Sequence, residues 1–109
     1  MNIQFKKGVL ELCVLSLLSE CDRYGYDVSE VLSRQIDMSD GTIYPILRKL
    51  KNDGLVTTYL VEESGGPPRK YHKLTDLGKS EYERGKSEWF DFTQKVEKIL
   101  KGDFKDDQK

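Results

Sequence analysis

Apolar residues recur along this chain in more than one rhythm, and each rhythm predicts an element. From Phe5 to Ser19, the positions Val9, Leu10, Leu12, Cys13, Val14, Leu15, Leu17 and Leu18 cover most of a helix surface. A helix of that kind is buried on two sides, and one side is available to another subunit. The next segment, ECDRYGYDVSEVLSRQI, places Val28, Val31, Leu32 and Ile36 at spacings of three and four, a short second helix with Asp22 as a candidate cap.

The stretch SDGTIYPILRKLKNDG is marked at both ends. Ser39 is the expected N-cap, Asp40 suits the first turn, and Gly54 stands where a helix closes through a left-handed residue. Ile43, Ile46, Leu47 and Leu50 form one buried stripe. Pro45 lacks a backbone N–H and its ring presses on the carbonyl four residues earlier, but that residue is Gly41, so the disturbance is confined to the first turns.

After Gly54 the rhythm changes to that of strands. LVTTYLV is rich in β-branched and aromatic residues, ESGGPP is a run of turn formers, and RKYHKL returns antiparallel, giving a β-hairpin with Arg69 and Lys70 near its tip. Thr75 then caps a long helix reaching about Lys101. Along it Tyr82, Gly85, Trp89, Phe92, Val96 and Ile99 alternate spacings of three and four, a heptad seam that calls for a partner helix. The tail KGDFKDDQK has no periodicity and reads as frayed or disordered.

The fold class expected is therefore mainly α with a small β-hairpin: a winged helix-turn-helix over residues 1–75, a C-terminal dimerisation helix over 76–101 and a disordered tail over 102–109. In such a fold the last helix before the hairpin enters the DNA major groove and the wing touches the flanking backbone.

Bulk composition adds little to this. The formal net charge is −1 with 34% charged residues, so a nucleic-acid partner must be argued from local clusters. No apolar run reaches membrane length and no signal-peptide cleavage site follows the first apolar run, so a cytoplasmic protein is expected. Cys13 and Cys21 would lie about 12 Å apart on one helix, too far for a disulfide, and only Cys21, at a helix end, is a conceivable redox sensor.

Local charge is informative where bulk charge is silent. Opposite the buried stripe of the third helix, Thr42, Pro45, Lys49 and Asn52 align with Tyr44, Arg48 and Lys51 beside them, and no acid interrupts the run from Thr42 to Lys51. That face suits a phosphate backbone, although a solvated surface is the blander reading, and Tyr44 is equally suited to packing. His72 is the only histidine and has no metal or triad partner at a useful spacing, so neither catalysis, a metal nor a cofactor is expected.

The segments KKGVLELCVLSLL, YGYDV, SDGTIYPILRKLKNDGLV and GGPPRKYHKLTDLG, in this order, resemble the PadR family of bacterial transcriptional regulators from Lys6 to about Leu100. The single C-terminal helix is similar to the small subfamily that includes multidrug-sensing repressors. The resemblance implies a winged-helix homodimer that represses genes by binding double-stranded DNA and, in some members, is released by a small ligand.

Carried onto this chain, it implies DNA proximity for Thr42, Tyr44, Pro45, Arg48 and Lys49 on the helix and for Arg69 and Lys70 on the wing; Ser39 at the start of the helix and Lys51 on its basic face complete the expected DNA-binding set. The dimer seam would comprise Tyr82, Trp89, Phe92, Val96 and Ile99. A small planar aromatic ligand would meet Trp89 with Leu10 and Val14 as the other wall, unless Trp89 is simply core. Around Trp89 the chain departs from drug-sensing relatives, with Lys86 one turn earlier and Thr93 one turn later. The alternative is a winged helix that binds protein and not DNA; the basic residues on both helix and wing weigh against it.

Overall fold

A computed structural model describes residues 3–38, 40–63 and 65–104. Among them, helix α1 (Ile3–Glu20) is the central element, touching α2 (Gly25–Gln35), α3 (Ile43–Asn52), β3 (Arg69–Leu74) and α4 (Asp76–Leu100). Leu10, Val14 and Leu18, one stripe at spacings of four, are each no more than 3% exposed. They meet Val28 and Leu32 of α2 and the α3 stripe Ile43, Ile46, Leu47 and Leu50 in a single core.

Two local features differ from the sequence expectation. A two-residue strand, β1 (Arg23–Tyr24), precedes α2 and pairs with β3, giving a three-stranded antiparallel sheet in the order β1-β3-β2, with β2 spanning Val56–Val61. Because β1 holds the chain extended ahead of the helix, α2 starts from Tyr24, and Asp22 does not cap it. The Asp22 carboxylate instead accepts a hydrogen bond from the Tyr59 hydroxyl at 2.7 Å.

Helix α3 is entered through a 3₁₀ turn at Asp40–Thr42, and Thr42 is its N-cap. The expected cap, Ser39, lies outside the described residues. Pro45 is consequently the third residue of the α-helix, where a backbone N–H would have no intrahelical acceptor, so the proline forfeits no bond. At the other end Gly54 has φ 78°; its N–H reaches Lys51 O at 3.0 Å and the Leu55 N–H reaches Leu50 O at 3.0 Å. This Schellman closure turns the chain directly into β2.

The same junction seats α4. The Thr75 hydroxyl donates to Gly54 O at 2.7 Å and accepts from the Gly78 N–H at 3.0 Å, so one side chain caps α4 and ties it to the end of α3. Gly78 lies so close to this junction that a Cβ there would sit 2.0 Å from the Leu55 carbonyl oxygen. Past Tyr82 the helix leaves the core, and Phe90, Phe92, Ile99 and Leu100 are 55%, 52%, 59% and 80% exposed. Residues 102–104 continue α4 as a turn, while the rest of the expected disordered tail, 105–109, lies outside the described residues.

Candidate functional site

The core packing of α3 decides which of its side chains are presented. With Ile43, Ile46, Leu47 and Leu50 at most 2% exposed, the helix turns Tyr44, Pro45, Arg48, Lys49, Lys51 and Asn52 outward. The wing stands beside this face. In β3 alternate residues separate: His72 and Leu74 are buried toward the core, with Lys70 on their side of the strand, while Arg69, Tyr71 and Lys73 lie on the other.

Between helix and wing lies a cleft of about 280 Å³ lined by Tyr44, Arg48, Lys51, Thr58, Lys70 and His72, among others. Arg48, Lys51 and Lys70 form no salt bridge among the described residues. Among the described residues no carboxylate neutralises their charge. Two other residues expected on the same surface are differently placed. Lys49 is held between Glu11 of α1 at 3.2 Å and Asp53 at 3.0 Å, and both carboxylates raise its pKa, the Asp53 hydrogen bond most. Arg69 pairs with Glu63 at 3.3 Å and lies 5.0 Å above the Tyr24 ring.

That ring belongs to an aromatic row which sequence reasoning missed. Register places Tyr24 and Tyr59 on either side of Tyr71, with ring centroids 6.2 and 5.8 Å from it, a row across all three strands. The row, the Tyr59–Asp22 hydrogen bond and the Arg69 cation–π contact brace the wing against β1. At the tip, Gly65 with φ 83° and the two prolines turn the chain.

A second cleft, about 460 Å³, lies where α1 and α4 diverge, lined by Gly8, Val9, Leu12, Gly85, Trp89 and Phe92 together with Glu88. Trp89 lines it, whereas Leu10 and Val14, expected as the wall opposite, do not: at 2% and 0% exposure they are inside the core, and Val9 and Leu12 form the wall. Apolar residues cover most of this helix's surface, so its sequence alone does not distinguish the two faces. Tyr82, expected on the dimer seam, is likewise core, 9% exposed with its hydroxyl 3.2 Å from Ser16 Oγ. Trp89, Phe92, Val96 and Ile99 lie farther along α4, beyond the point where the helix leaves the core.

The Transcriptional regulator PadR-like family matches residues 14–84. The chain belongs to that family. It is a family of transcriptional regulators, not of enzymes. A transcriptional regulator from Streptococcus is 37% identical, with a TM-score of 0.83 over 91% of this chain and 99% of that one. The Bacillus subtilis PadR structure in complex with operator DNA is 30% identical, with a TM-score of 0.63 over 70% of this chain and 45% of that one. The curated Bacillus subtilis protein, named a negative transcriptional regulator, is 27% identical over 88% of this chain, which spans 53% of its length. As for membranes, no described helix is long and apolar enough to cross one.

Proposed function

We propose that this PadR-family regulator represses transcription as a homodimer on an inverted-repeat operator, with α3 in the major groove and the wing on the adjacent backbone. The observation that carries this reading is the convergence of Arg48, Lys51 and Lys70, without intramolecular partners among the described residues, on one cleft between recognition helix and wing. Cations without a carboxylate partner are those most available to phosphates. Thr42, Tyr44 and Pro45, at the start of the helix, would approach base edges, as the leading residues of a recognition helix do. Lys49 and Arg69 must exchange a carboxylate for a phosphate, so they contribute less. Repression is the sense of regulation suggested by the Bacillus subtilis relative, a negative transcriptional regulator. A cytoplasmic location follows from a DNA partner.

The test is to recover the genomic fragments that the protein retains at moderate salt. They should share an inverted repeat whose half-sites lie about one helical turn apart. Recovery of unrelated sequences, or of none, would remove the operator reading.

The proposal extends to an effector. The α1–α4 cleft is bounded by Trp89 and Phe92 and widened at Gly85, and a flat aromatic ligand fits that lining. For release from DNA, the ligand must prefer the arrangement that does not bind DNA; a hundredfold preference corresponds to about 2.7 kcal/mol. Trp89 is the only tryptophan, so its fluorescence should be quenched as planar dyes are titrated in, and saturating operator should weaken that binding by the same factor. If a broad panel of such compounds changes neither the fluorescence nor DNA affinity, Trp89 is part of the dimer core and the effector reading fails.

A further inference from the structure

The helix–wing cleft contains one group that the DNA reading above does not use. His72 is 7% exposed, lines the cleft beside Lys70 and Lys51, and its Nδ1 has no hydrogen-bond partner among the described residues. Nδ1 itself is shut away beside Gly25, 3.7 Å from where a Cβ there would stand, so a molecule in the cleft would act on the ring through its charge and not through this atom. From α3 the cleft receives Tyr44, Arg48, Lys51 and Asn52, and from the wing Thr58 and Lys70. Arg and Lys are donors only, and Asn, Thr and Tyr can each donate. No carboxylate lines the cleft and none is among the groups acting on the imidazole.

The ring is also fixed in place. It belongs to the residue that pairs with Arg23 across β1 and β3, and its Cε1 would stand 3.1 Å from a Cβ built on Gly25 at the start of α2. The imidazole is therefore held against the first turn of α2, where glycine leaves it room.

We infer that this cleft is a seat for a single DNA backbone phosphate, and that His72 binds a proton as the phosphate enters. The inference rests on the DNA-binding reading and deepens it. A phosphodiester supplies what the cleft lacks, acceptor oxygens and negative charge, and the backbone strand passing between a major-groove helix and its wing would present one there.

The proton linkage follows from the sign of the local field. In the free protein, burial first and then the charge of Lys70, with a smaller contribution from Lys51, hold His72 below its ordinary value of 6.5, while the nearby Arg23 backbone acts in the opposite direction. The Arg23 guanidinium is engaged elsewhere, with Leu17 O and Glu20. An incoming phosphate offsets the repulsion and favours imidazolium. The bound state thus holds more proton than the free state, and affinity rises as pH falls. Folding of the free protein has the opposite sign. The unfolded chain takes up the proton more readily, so the stability that His72 contributes is complete above 6.5 and is lost as pH falls below that value.

The test uses the full chain and a short fluorescein-labelled duplex. As the only histidine, His72 gives a single imidazole Cε1–H resonance in NMR, and its midpoint should move upward when the duplex is added. Binding followed by anisotropy should be about fivefold tighter near pH 6 than near pH 8, and His72→Phe, which keeps a ring against Gly25, should flatten that dependence while still binding. An imidazole midpoint unmoved by bound DNA overturns the inference and leaves the DNA reading intact. A pH dependence that persists in His72→Phe overturns it too. A midpoint raised by inorganic phosphate but not by DNA assigns the seat to a small anion and also overturns it. Absence of DNA binding at every pH overturns both readings.

Discussion

Replacing Gly78 by Ala should destabilise the fold by roughly 3 kcal/mol or more, with a fall in Tm of at least about 10 °C. A methyl group there would stand 2.0 Å from Leu55 O and 3.0 Å from its carbonyl carbon, and backbone atoms cannot rotate away as a side-chain end can. Relief requires α4 to lift off the α3–β2 junction, which stretches the Thr75 hydroxyl bond to Gly54 O and the Thr75 N–H bond to Leu55 O, now 2.7 and 3.1 Å. Gly85 provides the control on the same helix. A Cβ there meets only Leu12 Cδ1, at 3.1 Å, the mobile end of a side chain, so Gly85→Ala should change stability by less than about 1 kcal/mol. Thermal or urea unfolding of the two variants should separate them clearly; equal, small effects would mean that α4 does not approach the junction so closely.

The second large effect expected is loss of the dimer in Ile99→Asp and Phe92→Asp. In a single subunit these side chains are 59% and 52% exposed, so a substitution confined to the monomer should cost no more than about 0.5 kcal/mol. In the proposed assembly they are buried against a second copy, and an unpaired charge there costs several kcal/mol. Sedimentation at micromolar concentration should show a monomer with unchanged helical content for each variant. Operator affinity should fall with it, because each half-site is then bound alone. A variant that remains dimeric would place the interface elsewhere.

The parts of this molecule legible in the sequence are those whose signal is local. The α3 stripe, the Gly54 closure, the wing turn and the Thr75 cap each depend on residues within a few positions of one another. What could not be read depends on which of two surfaces an apolar residue meets. The α4 seam runs through Tyr82 and Ile99 with one rhythm, yet Tyr82 is covered by α1 and Ile99 stands free of the core. A helix keeps the same periodicity whichever neighbour covers it. The choice of Val9 and Leu12 over Leu10 and Val14 as the cleft wall was hidden for the same reason. Strand β1 is two residues long, too short to show alternation, and exists because β3 offers an edge to Arg23 and Tyr24. Asp22 and the tyrosine row became interpretable only once that pairing was known.

The face built by α3 and the wing is proposed to bind phosphates through Arg48, Lys51 and Lys70, which have no salt-bridge partner among the described residues. The most direct measurement is the dependence of duplex affinity on salt for the wild type and for Arg48→Ala, Lys51→Ala and Lys70→Ala. The wild type should lose affinity steeply as salt rises, and each substitution should weaken binding to all sequences and reduce the slope by about one. Lys49→Ala should have a smaller effect, since its carboxylate partners Glu11 and Asp53 already neutralise it. A flat salt response, or slopes unchanged in all three variants, would contradict the account.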